Sequence, residues 1–462
     1  MAYSWEEEIK IGQDADPQIV AQYGIYDDPE ITEYVNNLSN SVLANSHMRR
    51  EGTDRKFRET EFYFKVLDSP VVNAFALPGG YVYFTRGLMA HLNNEAQLSV
   101  VIGHEIGHVA ARHASQRALQ QQLGQIAVIG GAVIGQELLG LPGASILDMS
   151  SQAAQLLFLS YSRDAERESD ELGVEYSAIT GFTAAEGAQF FTSLKRISAQ
   201  SGQSIPSMLS THPDPGEREA RIPELAEQWK ERGYEQTIIN KDSYLEMIDG
   251  MVFGENPRNG FVDDGNFVHP DLELQFPVPD GWQAINQQQQ VVLLSSAEDA
   301  VLIFRIDSES ETAQSSVQQF IEQEGITVNS QSETQSSGSI PAYRASVTIS
   351  QQEGNLKAVI YAIEFGGQIY RFIGYTSESQ FANYQDVLSG VPSEFSRLTD
   401  ETILNIQPVR IQLVQADRSG TFSSFLPAQL PMEIKPEDVA IINQVQLDDT
   451  IESGRFLKIP VQ

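Results

Sequence analysis

"VIGHEIGHVA", residues 101–110, sets a histidine, a glutamate and a second histidine in the order His-Glu-x-x-His. On a helix, positions four apart lie one turn above each other on the same face. His104 and His108 can therefore offer two imidazoles to one ion, with Glu105 alongside and near enough to reach a water. The residues from Asn94 to about Gln120 carry helical spacing, which predicts that the motif lies inside one helix. With only 7 histidines in 462 residues, a chance match is rare. Two histidines still make an incomplete site.

The chain has no cysteine, so any further ligand must be another histidine or a carboxylate, and disulfides are excluded. His47 lies at a polar helix end, His91 precedes the motif, and His269 follows a Gly/Asn/Asp-rich linker at 250–266. His113, five residues past His108, is expected to point away from the pair with Ile102, Ile106 and Val109, as a structural histidine. A better candidate is "YSRDAERESD", 161–170, where Glu166 and Asp170 share one helix face. Glu166 could bind the ion, while Asp170 could accept a hydrogen bond from the outer nitrogen of a ligand histidine. The competing reading is a solvated acidic face, since the chain holds 63 acidic residues.

His-Glu-x-x-His followed by Ser-Arg-x-x-Glu-x-x-x-Asp resembles the HtpX/CaaX-protease type of zinc gluzincin, and its soluble BepA-like branch in layout. The resemblance spans about residues 5–225 through "WEEEIKIG", "NAFALPGG", "HEIGHVAARH" with "SRDAERESD", and "STHPDPGER". It implies one zinc ion held by His104, His108 and Glu166, with Glu105 as general base and Asp170 behind a ligand histidine. It implies a substrate-pairing strand at Asn73, Ala74 and Phe75. It also brings the element of His212, Pro213 and Arg218 to the site, with His212 as a gate on the metal; alternatively Arg218, His212 or Tyr161 is the donor to the oxyanion. Ser169 departs from the family, which more often has alanine there. The implied reaction is hydrolysis of a protein or peptide substrate, in the periplasm or cell envelope.

Composition sets the limits around this reading. A length of 462 residues suggests two or three domains, and 41% hydrophobic with 20% charged residues is typical of a folded protein. The formal charge of -33 argues against nucleic acid and against docking on anionic lipid. A salty habitat is one reading of that excess. The start, "MAYSWEEEIKIGQ", has neither a basic nor an apolar leader segment, so the chain is read as cytosolic or as lacking a removed leader. "IAVIGGAVIGQELLGLPGASIL", 126–147, is apolar but carries Glu137, Pro142 and several glycines. It reads as packed helices and not as a stable membrane span.

The expected architecture has three parts: a mainly α zincin-type metallopeptidase domain with a small β-sheet over 1–250, an α/β unit over 267–402, and a βααβ module over 408–462. In the second, "AVIYAIEFGGQIYRFIGYTS" predicts a hairpin turning at Gly366-Gly367, and the Ser/Gln-rich 328–339 predicts a loop. "FPVPDGW", 276–282, resembles the opening of a PsbP-like sandwich. "SGTFSSF" and "AIINQVQLDDTIESGRFLKIP" resemble a LysM module, which implies peptidoglycan as a partner, although the usual Asp of the first motif is absent. The function expected is a zinc endopeptidase of envelope protein quality control. The alternatives are a self-gated or inactive adaptor or chaperone, and a glycan-binding wall protein.

Overall fold

Around the motif the sequence does form a helix, Glu95–Ala110, with the Asn94 side chain accepting from the Gln97 amide at its start. It is shorter than the apolar pattern suggests. The backbone turns at Ala111 and Arg112, and Arg112 adopts a left-handed φ of 60° before a new helical segment opens at His113. The computed structural model describes residues 3–117, 161–200, 208, 211–213, 218–350, 354–431 and 434–462. The apolar stretch at 126–147 lies outside the described residues. Among those described, no helix is long and apolar enough to cross a membrane.

The described residues gather into two compact units, one holding the chain up to 255 together with 408–462, the other 256–407. In the first, helices Trp5–Tyr23 and Pro29–Ala44 precede a three-stranded sheet of β1 (Tyr63–Leu67), β2 (Ala74–Leu77) and β3 (Tyr81–Thr85). β3 is central, parallel to β1 and antiparallel to β2, so β2 is an edge strand. After the motif helix come helices Arg163–Thr180, Gly187–Gln200, Arg218–Glu231 and Lys241–Ile248. Val101, Ile102, Ile106, Val174, Tyr176 and Phe190 join one buried core with the sheet residues Val82 and Phe84.

The tail packs within this same unit. Its strands Arg410–Gln415 and Phe456–Val461 pair antiparallel, with helix Pro436–Ile442 between them in sequence. Ile411 exchanges backbone hydrogen bonds with Gly250 and Met251 and is buried in the peptidase-side core. The Lys458 ammonium is enclosed, donating to the Ala90 and Leu92 carbonyls at 2.6 and 2.8 Å.

The second unit is built on a seven-stranded antiparallel sheet. Alternate residues face opposite sides of a strand. Ile303, Ile360 and Ile373 thus pack against Val317 and Phe320 of helix Ala313–Ile321. Phe304, Phe372 and Phe276 meet Leu388 of helix Phe381–Ser393 on the other side. The hairpin Leu356–Phe365 to Gln368–Ser377 turns at Gly366 and Gly367, both at positive φ, as a two-residue loop requires. The Ser/Gln-rich segment expected as a loop is instead a strand, Ile326–Ser336, paired along Ile340–Ile349 at the sheet edge. An edge strand has one neighbour and an open face, so polar side chains suit it. Part of the expected linker is also extended, in strands Phe261–Asp263 and Asn266–His269.

Candidate metal centre

The motif helix and helix Arg163–Thr180 touch through glycines. A Cβ at Gly103 would sit 2.8 Å from the Gly173 carbonyl oxygen, and one at Gly173 would sit 2.8 Å from the His104 nitrogen. Hydrogen in place of Cβ lets the two backbones meet, which carries Glu166 under the two motif histidines. His104 Nε2 lies 3.0 Å from His108 Nε2 and 3.5 Å from Glu166 Oε2, and His108 Nε2 lies 3.4 Å from Glu166 Oε1.

His212 completes the group. Its Nδ1 stands 3.1 Å from Glu166 Oε1 and 3.3 Å from His104 Nε2. Ligand atoms of His104, His108, Glu166 and His212 all fall within 4.8 Å of one another, and all four residues are buried. Bonds of about 2.0–2.1 Å in a tetrahedron put neighbouring ligand atoms roughly 3.3 Å apart, so this nitrogen and oxygen set fits zinc.

The surroundings orient the four. Asp170 Oδ1 is 3.0 Å from His104 Nδ1. Arg218 donates to Asp170 at 2.8 Å and to Glu166 at 2.5 Å, so its guanidinium braces both carboxylates. Burial alone would raise the Glu166 pKa, but His212 and His108 hold it well below the usual carboxylate range. Burial pulls the His212 pKa down, yet Glu166 and Glu105 outweigh it and keep the imidazole easier to protonate. Burial also pushes His108 well below its usual value. The Tyr161 ring stacks on His108 with centroids 3.9 Å apart.

Glu105 is different. It is fully buried, neither oxygen has a hydrogen-bond partner among the described residues, and burial raises its pKa. Its Oε1 lies 3.7 Å from His212 Nε2. Such a carboxyl group is suited to taking up a proton.

Edge strand β2 borders the group. His212 Nε2 stands 3.2 Å from the Ala74 carbonyl oxygen. Asn73 precedes the strand, exchanging hydrogen bonds with Thr85, while its own side-chain oxygen is buried and without a hydrogen-bond partner among the described residues. Phe75 turns to the far side and stacks on Tyr83 at 4.8 Å.

The structure thus brings His104, Glu105, His108, Glu166, Asp170, His212, Arg218 and the β2 backbone to one place. His113 departs from expectation. It faces His108, with the two Nδ1 atoms 3.0 Å apart, because the turn at Ala111–Arg112 interrupts the helix that the spacing predicts to run on. Sequence reasoning also passed over Gly103 and Gly173, whose place inside two helices is the signal that would have marked them.

Comparison with known proteins follows the same lines. Residues 43–226 match Peptidase family M48. A beta-barrel assembly-enhancing protease of Yersinia pestis is 32% identical over 235 residues, 49% of this chain and 45% of that protein. Its Escherichia coli K12 counterpart is 25% identical over 262 residues, 56% of this chain and 51% of that protein. The mitochondrial metalloendopeptidase OMA1 of Bos taurus is 32% identical over 177 residues, 37% of this chain and 33% of that protein. The chain spans about half the length, or less, of these curated relatives. Among solved structures, cyanobacterial PsbP from Synechocystis is similar over 29% of this chain and 91% of its own, at 15% identity and a TM-score of 0.25.

Proposed function

We propose, from the match of residues 43–226 to Peptidase family M48 and from the geometry of the site, that the chain is a zinc-dependent endopeptidase of cell-envelope protein quality control. The observation that carries the reading is the unpartnered, buried Glu105 beside a four-residue metal group. A purely structural metal site has no use for such a carboxylate. Zinc bound there would supply Lewis acidity for a scissile carbonyl and bring a water's pKa near 7. Glu105 takes the proton of the attacking water and hands it to the leaving amine. His104, His108 and Glu166 would hold the metal, with Asp170 beside His104 Nδ1 and Arg218 bracing Glu166 and Asp170. An extended substrate pairs with β2 at Asn73–Phe75, which reads backbone more than side chains.

Similarity to relatives named beta-barrel assembly-enhancing proteases supports our assignment to the envelope. We read 267–402 as a PsbP-like α/β domain and 408–462 as a LysM-like module with peptidoglycan as its candidate partner. The outer strands of the tail, paired with the short 3-10 helix Phe422–Phe425 and helix Pro436–Ile442 between them in sequence, support the latter.

A second reading, a self-gated protease acting as an adaptor until opened, is favoured by His212. Its Nδ1 stands at the fourth corner of the group.

Glu105→Gln tests the first reading. It should keep one zinc per chain and the fold, yet lose at least about a hundredfold in casein digestion, the scale of a missing general base. Full activity in a folded, zinc-loaded variant would refute the assignment, as would digestion that persists after the metal is chelated away.

A further inference from the structure

His113 has no place in the chemistry above, yet it is buried against the centre. The chain bends at Ala111–Arg112 to bring it there. Arg112 is fastened by two hydrogen bonds to Glu8, at 2.6 and 2.8 Å, and by one to the Tyr3 carbonyl at 2.7 Å. The first helix thus anchors the bend.

With His108 Nε2 turned to the metal group, the ring's remaining proton sits on Nδ1. That buried N–H points at His113 Nδ1, 3.0 Å away. To accept, His113 must carry its own proton on Nε2, where Glu168 Oε2 waits at 3.2 Å. The Ser169 hydroxyl also lies near, 3.3 Å from His113 Nδ1, but that nitrogen has one lone pair and the closer His108 N–H takes it. Each ring N–H then faces an acceptor, in a chain from His108 through His113 to Glu168. The two motif histidines thus have different groups behind them, the Asp170 carboxylate 3.0 Å from His104 Nδ1 and a neutral imidazole against His108.

We propose that His113 is a positioning residue, which fixes the tautomer and ring angle of His108 by accepting its Nδ1 hydrogen and passing the chain of hydrogen bonds to Glu168. The proposal rests on His108 binding zinc through Nε2. An outer acceptor of this kind is worth about 10–100-fold in metal affinity.

The test is zinc affinity of the full chain, by competition with a chromophoric chelator. His113→Leu fills similar space without an acceptor and should weaken zinc by about 10–100-fold. His113→Asn places an oxygen near the Nδ1 position and should recover most of that loss. Affinity unchanged in His113→Leu, or no recovery in His113→Asn, overturns the proposal. Absence of zinc binding by the unmodified protein refutes the metal-site reading instead. Should His113→Leu fail to fold, nitrogen chemical shifts of the zinc-loaded, unmodified protein decide. A proton on His113 Nε2 is expected, and one on Nδ1 overturns the assignment.

Discussion

The imidazole of His212 touches two things that catalysis needs free. Its Nδ1 stands among the metal ligands, and its Nε2 lies 3.2 Å from the Ala74 carbonyl oxygen on the edge strand. Four ligands close a tetrahedral site, whereas three leave a position for water. The same ring also occupies a backbone acceptor that an extended substrate would use. His212→Ala is therefore expected to raise basal proteolysis severalfold at similar zinc stoichiometry. An oxyanion donor predicts the opposite sign, a fall in turnover of about 10²–10³. Digestion of a fluorogenic casein by the two proteins, matched for zinc, separates these outcomes. Arg218 offers no comparable ambiguity, because its guanidinium is engaged with Asp170 and Glu166.

Among elements, the decisive contact is between the motif helix and helix Arg163–Thr180. A Cβ added at Gly173 would meet backbone, the His104 nitrogen at 2.8 Å and the Val100 carbonyl oxygen at 3.0 Å. Backbone cannot swing aside as a side chain does, so Gly173→Ala forces the helices apart and draws Glu166 from the histidines. Overpacking of this kind costs about 1–3 kcal/mol. The variant should lose stability by that amount and bind zinc at least about tenfold more weakly, on the scale of misaligned ligand support. Gly390, in helix Phe381–Ser393, has nothing within 4 Å of an added Cβ. Gly390→Ala should leave zinc affinity unchanged and stabilise slightly, by up to about 1 kcal/mol. Denaturant melts and zinc titrations of both variants check the contrast, and equal effects would refute it.

At the scale of the whole molecule, the tail shares the core of the unit that contains the candidate metal group. Arg196 donates to the Val445 carbonyl at 2.7 Å, and Asn93 to the Ile442 carbonyl at 3.0 Å. Gln444 meets Gln97 in the first turn of the motif helix. With the Lys458 contacts and the 250–253 pairing, these amount to several hydrogen bonds at about 1 kcal/mol each. Domain stability is only about 5–15 kcal/mol. Ending the chain at residue 407 should thus lower the melting temperature of the unit around the candidate metal group by about 10 °C or more. An unchanged melt would mean that the tail is an appended binding module and nothing else.

How much of this was legible beforehand depends on the range of the interactions involved. Spacing along one helix put His104 with His108, and Glu166 with Asp170, because i and i+4 share a face whatever surrounds them. Alternation and a Gly-Gly pair likewise marked the hairpin at Gly366–Gly367, and the absence of cysteine left only nitrogen and oxygen ligands. Family resemblance, carried by separated motifs, joined the two helices and added His212. Three matters belonged to tertiary structure alone. The direction of His113 depends on a bend at Arg112 that Glu8 and the Tyr3 carbonyl, over a hundred residues earlier in the chain, hold in place. The polar segment 326–336 becomes a strand because a neighbour supplies its backbone partners, not because its side chains favour one. The tail joins the unit of the motif helix through contacts more than 150 residues apart in sequence. Local periodicity reports what a segment can bury, but which distant backbone it meets is settled only when the chain closes on itself.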